Sequence, residues 1–137
     1  MLAENVTPLH SAEELYAKCD VVSLHIPATA ETKGSINHTL LKHMPKGGLL
    51  VNTARKEVIH EEELIQFMQE RPDFRYVTDV MPAADQKMHE LFEGRYFATP
   101  KKMGAQTAEA NINAGIAAAK QILDYLENGV TKFQVNK

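Results

Sequence analysis

Asp20-Val21-Val22-Ser23-Leu24-His25-Ile26-Pro27 and Leu49-Leu50-Val51-Asn52-Thr53-Ala54 decide the fold class of this chain. Each is a short apolar run bounded by a breaker, which reads as a buried β-strand. Proline closes the first, and the turn Pro45-Lys46-Gly47-Gly48 precedes the second. Working outward, residues 74–81 read as a third strand, and residues 95–99, ended by Pro100, as a fourth. Helical patterns lie between and around them. Ser11 with Glu14 three residues later fits a capping box ahead of a short helix ending at Lys18. Asn37 can cap a short helix carrying Leu40 and Leu41. Residues 60–70 form a helix with Glu61, Glu62 and Glu63 at its positive end, and residues 85–92 a weak one. The longest helix spans residues 106–128, with Gly129 just past its end and an apolar stripe of Ile112, Ile116, Ala119, Leu123 and Leu126.

Strands alternating with helices predict an α/β fold with a parallel sheet. The strands read as nearly continuous apolar runs, which predicts burial on both faces of that sheet. The compositional shift at residues 101–104 divides the chain. Residues 1–104 belong to the sheet domain, and residues 105–137 form a long helix and tail.

The chain has 137 residues, 44% hydrophobic and 24% charged, so it can bury a core and is not a disordered segment. Its net charge of −3, with no basic stripe, argues against a nucleic-acid partner. No apolar run approaches the roughly 20 residues of a membrane helix. The N-terminus lacks the pattern of a secretion signal, so a reducing, cytoplasmic setting is the expectation. A single cysteine, Cys19, permits neither an internal disulfide nor a multi-cysteine metal cage. His10, His38, His43, His60 and His89 show no metal-ligand spacing and read as surface residues, so no metal site is expected.

In open α/β sheets ligands bind beyond the carboxyl ends of the strands. The candidate site residues therefore lie in 25–29, 53–56, 79–84 and 99–104. Arg55 directly follows a strand end, and its planar guanidinium suits bidentate capture of a carboxylate. Asp79 ends a buried strand. Lys101 and Lys102 stand near the positive N-terminus of a helix, where cations are disfavoured without another reason.

These four strand ends resemble, in order, those of the D-isomer-specific 2-hydroxyacid dehydrogenase family. The stretches that carry the likeness are VVSLHIPATAETKGSIN at 21–37, LLVNTARKEVIHEEEL at 49–64, YVTDVM at 76–81 and TPKKMGAQTAEAN at 99–111. Within the family the chain is most similar to the short phosphoglycerate dehydrogenases whose last motif reads KKMGAQTAEAN, with lysine where relatives carry histidine. The resemblance implies the C-terminal half of a Rossmann-type parallel sheet with flanking helices and a long C-terminal helix. It implies NAD as cofactor and hydride transfer to it from C2 of a phosphorylated 2-hydroxy acid, D-3-phosphoglycerate being oxidised to 3-phosphohydroxypyruvate. Arg55 would hold the substrate carboxylate. Lys101 or Lys102 would exchange the hydroxyl proton, counting from Pro100 favouring the first and counting from Gly104 the second. His25, Pro27, Thr53, Ala54, Arg55, Asp79 and Gly104 would contact the cofactor, Asp79 through the nicotinamide carboxamide. A homodimer through the cofactor domain is implied as well.

Two departures bear on that reading. The sequence contains no G-x-G-x-x-G turn, so by family length it corresponds to the C-terminal part of an enzyme about twice as long. The acidic residue that would choose between NAD and NADP is absent with it. The glutamate that partners the family's catalytic histidine falls at Ala84, with Asp85 beside it. Losing histidine and glutamate together is chemically coherent. Imidazole needs a partner to set its charge and tautomer, whereas an ammonium carries three donors unaided. Two other readings are a glyoxylate or hydroxypyruvate reductase of the same family, and a non-catalytic truncated remnant. Taken alone, the chain is expected to bind NAD weakly or not at all, to show no dehydrogenase activity, to present its first strand as an open edge, and to expose Ile112, Ile116 and Leu123.

Overall fold

Capping starts the first helix as its sequence dictates. In the computed structural model, which describes residues 6–101 and 107–136, the Ser11 hydroxyl accepts a hydrogen bond from the Glu14 amide at 3.1 Å. The Glu14 carboxylate reaches back one residue further than a capping box requires, to the His10 amide at 3.2 Å. Helix α1 (Ala12–Lys18) follows, then strand β1 (Val21–Leu24). Asn37 caps α2 (His38–Leu41) by accepting from the Leu40 amide at 2.9 Å. After β2 (Leu49–Asn52) comes a 3-10 turn (Lys56–Val58) that the sequence did not announce. Then come α3 (Glu61–Glu70), β3 (Arg75–Thr78), α4 (Asp85–Leu91) and β4 (Tyr96–Ala98).

The four strands are parallel and lie in the order β1-β2-β3-β4, with Val22 level with Leu50, Leu50 with Tyr76, and Tyr76 with Tyr96. Each strand is shorter than its apolar run, because the run continues into the loop at the carboxyl end. This is where the expectation of two buried faces fails. Inward residues Val22, Leu24, Leu50, Asn52, Tyr76, Thr78, Tyr96 and Ala98 are buried, while every residue between them is half-buried or exposed. Val21 and Phe97 are each 56% exposed on the second face. Topology supplies the reason. Sequential parallel strands joined by crossovers of one hand carry all their connections on one side. The valines at 21, 51 and 77 are apolar, yet among the described residues Val21 is exposed and Val51 and Val77 are only half-buried. Strand β1 is a sheet edge, as expected.

The covered face is well filled. Helix α3 contributes Leu64, Ile65, Phe67 and Met68. Phe67 meets Phe74 edge-to-face, with ring centroids 5.0 Å apart. One surface expectation and one burial expectation need correction. His38 is half-buried, 2.7 Å from Glu70 and edge-on to Phe67. Cys19, which precedes a strand and reads as a small buried side chain, is only half-buried, packed against the core.

At the amino ends of the strands, Arg71 ties two turns together. Its Nε and Nη2 donate to the two oxygens of Asp73 at 3.0 and 2.8 Å, and its remaining donors reach the carbonyls of Met44 and Pro45. The Gly47 amide donates to Asp73 Oδ2 at 2.7 Å. The Arg71 guanidinium, with the Gly47 N–H second, holds the Asp73 carboxyl well below the usual carboxylate range. Its folded-state value lies below the ordinary aspartate value of 3.8. The stability it contributes is therefore complete above that pH and is lost as pH falls below it. Asp73→Asn is expected to lower stability by about 1 kcal/mol at pH 7, the pair being partly open to solvent and screened. It should also flatten the acid limb of a melting-temperature profile between about pH 5 and 2. An unchanged acid limb would show that other carboxylates dominate it.

The chain divides into two compact units, residues 1–102 and 103–137. The second contains α5 (Ala108–Asn128), capped by the Thr107 hydroxyl on the Ala110 amide at 3.1 Å. It ends at Gly129, whose φ of +65° is the left-handed conformation that closes a helix without a Cβ penalty. Ile112, Ile116, Leu123 and Leu126 are exposed along this helix. Among the described residues no helix is long and apolar enough to cross a membrane.

Candidate functional site

The carboxyl ends of β1 and β2 open into one cleft of about 530 Å³, lined by His25, Ile26, Pro27, Ala28, Thr53, Ala54 and Arg55. Five of the residues singled out from the sequence thus meet there: His25, Pro27, Thr53, Ala54 and Arg55. The loop after β1 is pinned by threonines, Thr32 donating to the Pro27 carbonyl and accepting from the Thr29 amide. The His25 ring nitrogen Nε2 lies 2.9 Å from the Ser23 hydroxyl on the open face of the sheet.

The turn after β2 is built by Asn52, which is fully buried. Its Oδ1 accepts from the Ala54 amide at 3.0 Å, and its Nδ2 donates to the Arg55 carbonyl at 3.0 Å and toward the Tyr76 hydroxyl at 3.4 Å. Burial, the largest influence, pushes the Tyr76 hydroxyl up from its ordinary value, which keeps it protonated beside Asn52. Arg55 leaves this turn in extended backbone, exposed. Among the described residues its side chain makes no salt bridge and one long hydrogen bond, to the Ala54 carbonyl at 3.4 Å. A guanidinium with most of its fork unused, at the rim of a cleft, is available to an anion.

Asp79 stands one strand over, following Thr78, the register partner of Asn52. Its amide donates to the Asn52 carbonyl at 3.1 Å. Its carboxylate atom Oδ1 is buried and has no hydrogen-bond partner among the described residues. Such an orphaned acceptor is costly unless something supplies an N–H or O–H.

Lys101 is not brought into the cleft. It is exposed beyond β4, two strands from β2, with its carbonyl accepting from the Thr99 hydroxyl at 3.1 Å. Lys102 and Gly104 lie outside the described residues.

Sequence reasoning missed Glu61, which it assigned only to a helix dipole. Its two oxygens accept from the amides of Ala83 and Ala84 at 2.9 and 3.1 Å, fixing the loop between β3 and α4. A signal was available: α4 begins after Ala84, which has no side-chain acceptor, so a cap had to come from elsewhere. Asp85, next to the position of the family's glutamate, is already engaged, accepting from the Tyr96 hydroxyl at 2.6 Å. Burial and then Asp85 hold that phenol well above its ordinary range, so it remains a donor.

Comparison with known proteins adds a family to this geometry. Residues 2–100 match the family model described as the D-isomer specific 2-hydroxyacid dehydrogenase, NAD binding domain. The D-3-phosphoglycerate dehydrogenase of Haemophilus influenzae is 33% identical over 138 aligned residues, covering 96% of this chain and 33% of that protein. The erythronate-4-phosphate dehydrogenase of Shewanella violacea is 41% identical over 98 residues, covering 69% of this chain and 25% of the other. A crystal structure of NAD+-bound 3-phosphoglycerate dehydrogenase from Entamoeba histolytica superposes with a TM-score of 0.81 at 53% identity, covering 96% of this chain and 44% of that one. The chain thus spans between a quarter and under half the length of these three relatives. A match over most of the chain, on a parallel α/β sheet whose strand ends carry the quoted motifs, places it in the NAD-binding domain of the D-isomer-specific 2-hydroxyacid dehydrogenase family.

Proposed function

We propose that this chain supplies the nicotinamide side of the site in an NAD-dependent enzyme that oxidises a phosphorylated 2-hydroxy acid, D-3-phosphoglycerate in the first place. The observation that carries the reading is the buried Oδ1 of Asp79, which has no hydrogen-bond partner among the described residues, level with the end of β2 where Arg55 offers a fork most of whose donors are unused. A primary carboxamide supplies the N–H donor that this oxygen lacks, so the residues present fit a nicotinamide. NAD supplies, when bound, the carbon that accepts the hydride.

The chain's own residues then divide the remaining work. Arg55 holds the substrate carboxylate through paired charge-assisted hydrogen bonds, which orients the carbon bearing the hydroxyl. Asp79 fixes the rotation of the carboxamide. Lys101 or Lys102 takes the hydroxyl proton as the C2–H bond breaks. The backbone of Thr53 and Ala54, with His25 and Pro27, walls the cleft on the side of β1 and β2.

The choice of substrate rests on likeness. The Entamoeba and Haemophilus enzymes, each matched over 96% of this chain, are named for phosphoglycerate. The Shewanella enzyme is named for erythronate 4-phosphate, which shares the phosphorylated 2-hydroxy acid chemistry.

The test is a chimera in which this chain replaces the matching 44% of the Entamoeba enzyme, the remainder supplying a pyrophosphate-binding half. The expected result is NAD-dependent oxidation of 3-phosphoglycerate, with a kcat/KM at least tenfold above that for 4-phosphoerythronate or glycolate. Lys101→Ala and Lys102→Ala should then differ by more than tenfold in kcat, since only one amine can reach the hydroxyl. A folded, NAD-binding chimera inactive on all three acids would refute the proposal.

A further inference from the structure

Among the described residues, Asn52 and Thr78 are the polar side chains, tyrosines aside, that are fully buried, at 0% and 1% exposure. They are not scattered. They are direct register partners, the last residues of β2 and β3, directly beneath the rim that carries Arg55 and Asp79. The other inward positions of the sheet are Val22, Leu24, Leu50, Tyr76, Tyr96 and Ala98. Burying an amide and a hydroxyl among these is unfavourable unless each group is satisfied.

Both side chains are satisfied, and by the same kind of partner. Asn52 bonds the Ala54 amide and the Arg55 carbonyl, the turn that follows its own strand. Thr78 Oγ1 accepts from the Val80 amide at 3.0 Å and lies 3.1 Å from the Val80 carbonyl, the turn that follows its strand. It also donates across the sheet to the Asn52 carbonyl at 2.9 Å, which accepts from the Asp79 amide as well. The Asn52 carbonyl therefore joins the two turns, while the side chains brace each one. An apolar pair of similar shape would fill the same space but leave the Ala54 and Val80 amides and the Arg55 carbonyl without these partners, so the turns would lose their bracing.

We infer that Asn52 and Thr78 are positioning residues: a buried cross-strand polar pair that sets the backbone of residues 53–55 and 79–80 as one unit. It would keep the Arg55 guanidinium and the Asp79 carboxylate in fixed relation before any ligand arrives. This inference rests on the reading that Arg55 and Asp79 serve substrate and cofactor. Its chemistry is preorganisation, in which a locked supporting layer lowers the cost of ordering the groups that touch ligand.

Two substitutions at Thr78 separate positioning from packing. Thr78→Val keeps the shape and removes the hydroxyl, whereas Thr78→Ser keeps the hydroxyl and removes the methyl group. The measurements, on the full 137-residue chain, are amide hydrogen exchange by NMR, melting temperature, and titration with millimolar nicotinamide mononucleotide. In Thr78→Val the Val80 and Asp79 amides should exchange at least tenfold faster. The Ala54 amide, which Thr78 does not touch, should exchange at least fivefold faster. The Leu50 amide should be unchanged, and the melting temperature should fall by no more than about 10 °C, the cost of leaving one buried group unpaired. Shifts induced by the mononucleotide at Asp79 and Ala54 should need at least fivefold more ligand. Thr78→Ser should retain the wild-type exchange pattern and binding. Unchanged Ala54 exchange in Thr78→Val would overturn the inference, as would a Thr78→Ser chain that behaves like Thr78→Val. If the wild-type chain shows no mononucleotide shifts, the cofactor reading falls, and the exchange pattern still decides whether the pair holds the two turns together.

Discussion

Arg55→Ala, made in the chimera that completes the site, is expected to lower kcat/KM for the 2-hydroxy acid at least 10²-fold, about 3 kcal/mol of transition-state binding. The size follows from what the side chain offers. Its fork is exposed at the rim of the cleft, and no acidic side chain among the described residues competes for it with the substrate carboxylate. Losing a charge-assisted bidentate contact is worth more than losing a single neutral hydrogen bond. Arg55→Lys should recover only part of the loss, because an ammonium restores the charge without the planar pair of donors. Steady-state kinetics with both variants checks this, and a deficit below threefold in Arg55→Ala removes the residue from the substrate site. NAD affinity should fall far less than kcat/KM, and an unchanged melting temperature separates the effect from a collapsed cleft.

Phe74→Ala is the substitution expected to cost most in stability, about 3–5 kcal/mol. Phe74 is fully buried and packs edge-to-face on Phe67 across the layer between α3 and the sheet. That layer is the main apolar core of the sheet unit, since the second face is open. Total stabilities of small domains are only about 5–15 kcal/mol, so the variant should be largely unfolded at modest urea concentrations. Phe97→Ala is the control. It removes an identical side chain, but one that is 56% exposed on the uncovered face, and should change stability by no more than about 0.5 kcal/mol. Chemical denaturation of the two variants measures the difference. Equal costs would mean that the open face is covered in solution.

Much of this protein follows from interactions that close within four residues, and those were legible in the chain alone. Ser11, Asn37 and Gly129 begin or end helices because a side-chain oxygen or a missing Cβ acts on its immediate neighbours. Four apolar runs separated by helical patterns required parallel pairing, and the sheet has it. The placement of candidate residues at the carboxyl ends of the strands followed from that topology, and five of them share one cleft.

What only the tertiary structure decided involves partners far apart in sequence. Val21, Val51 and Val77 are apolar, and a pattern of apolar residues reports what could be buried. Whether a layer exists to bury them depends on the side taken by each crossover, and all crossovers lie on the opposite face. Glu61 reads locally as a favourable charge at a helix start. Its bonds to Ala83 and Ala84, 22 and 23 residues away, exist because β3 returns beside β2 and brings the next loop over α3. Asn52 and Thr78 read as polar interruptions near strand ends. They become a joined pair only because the parallel register sets them level, 26 residues apart, where water is excluded and each polar group must find its partner in the turn above it.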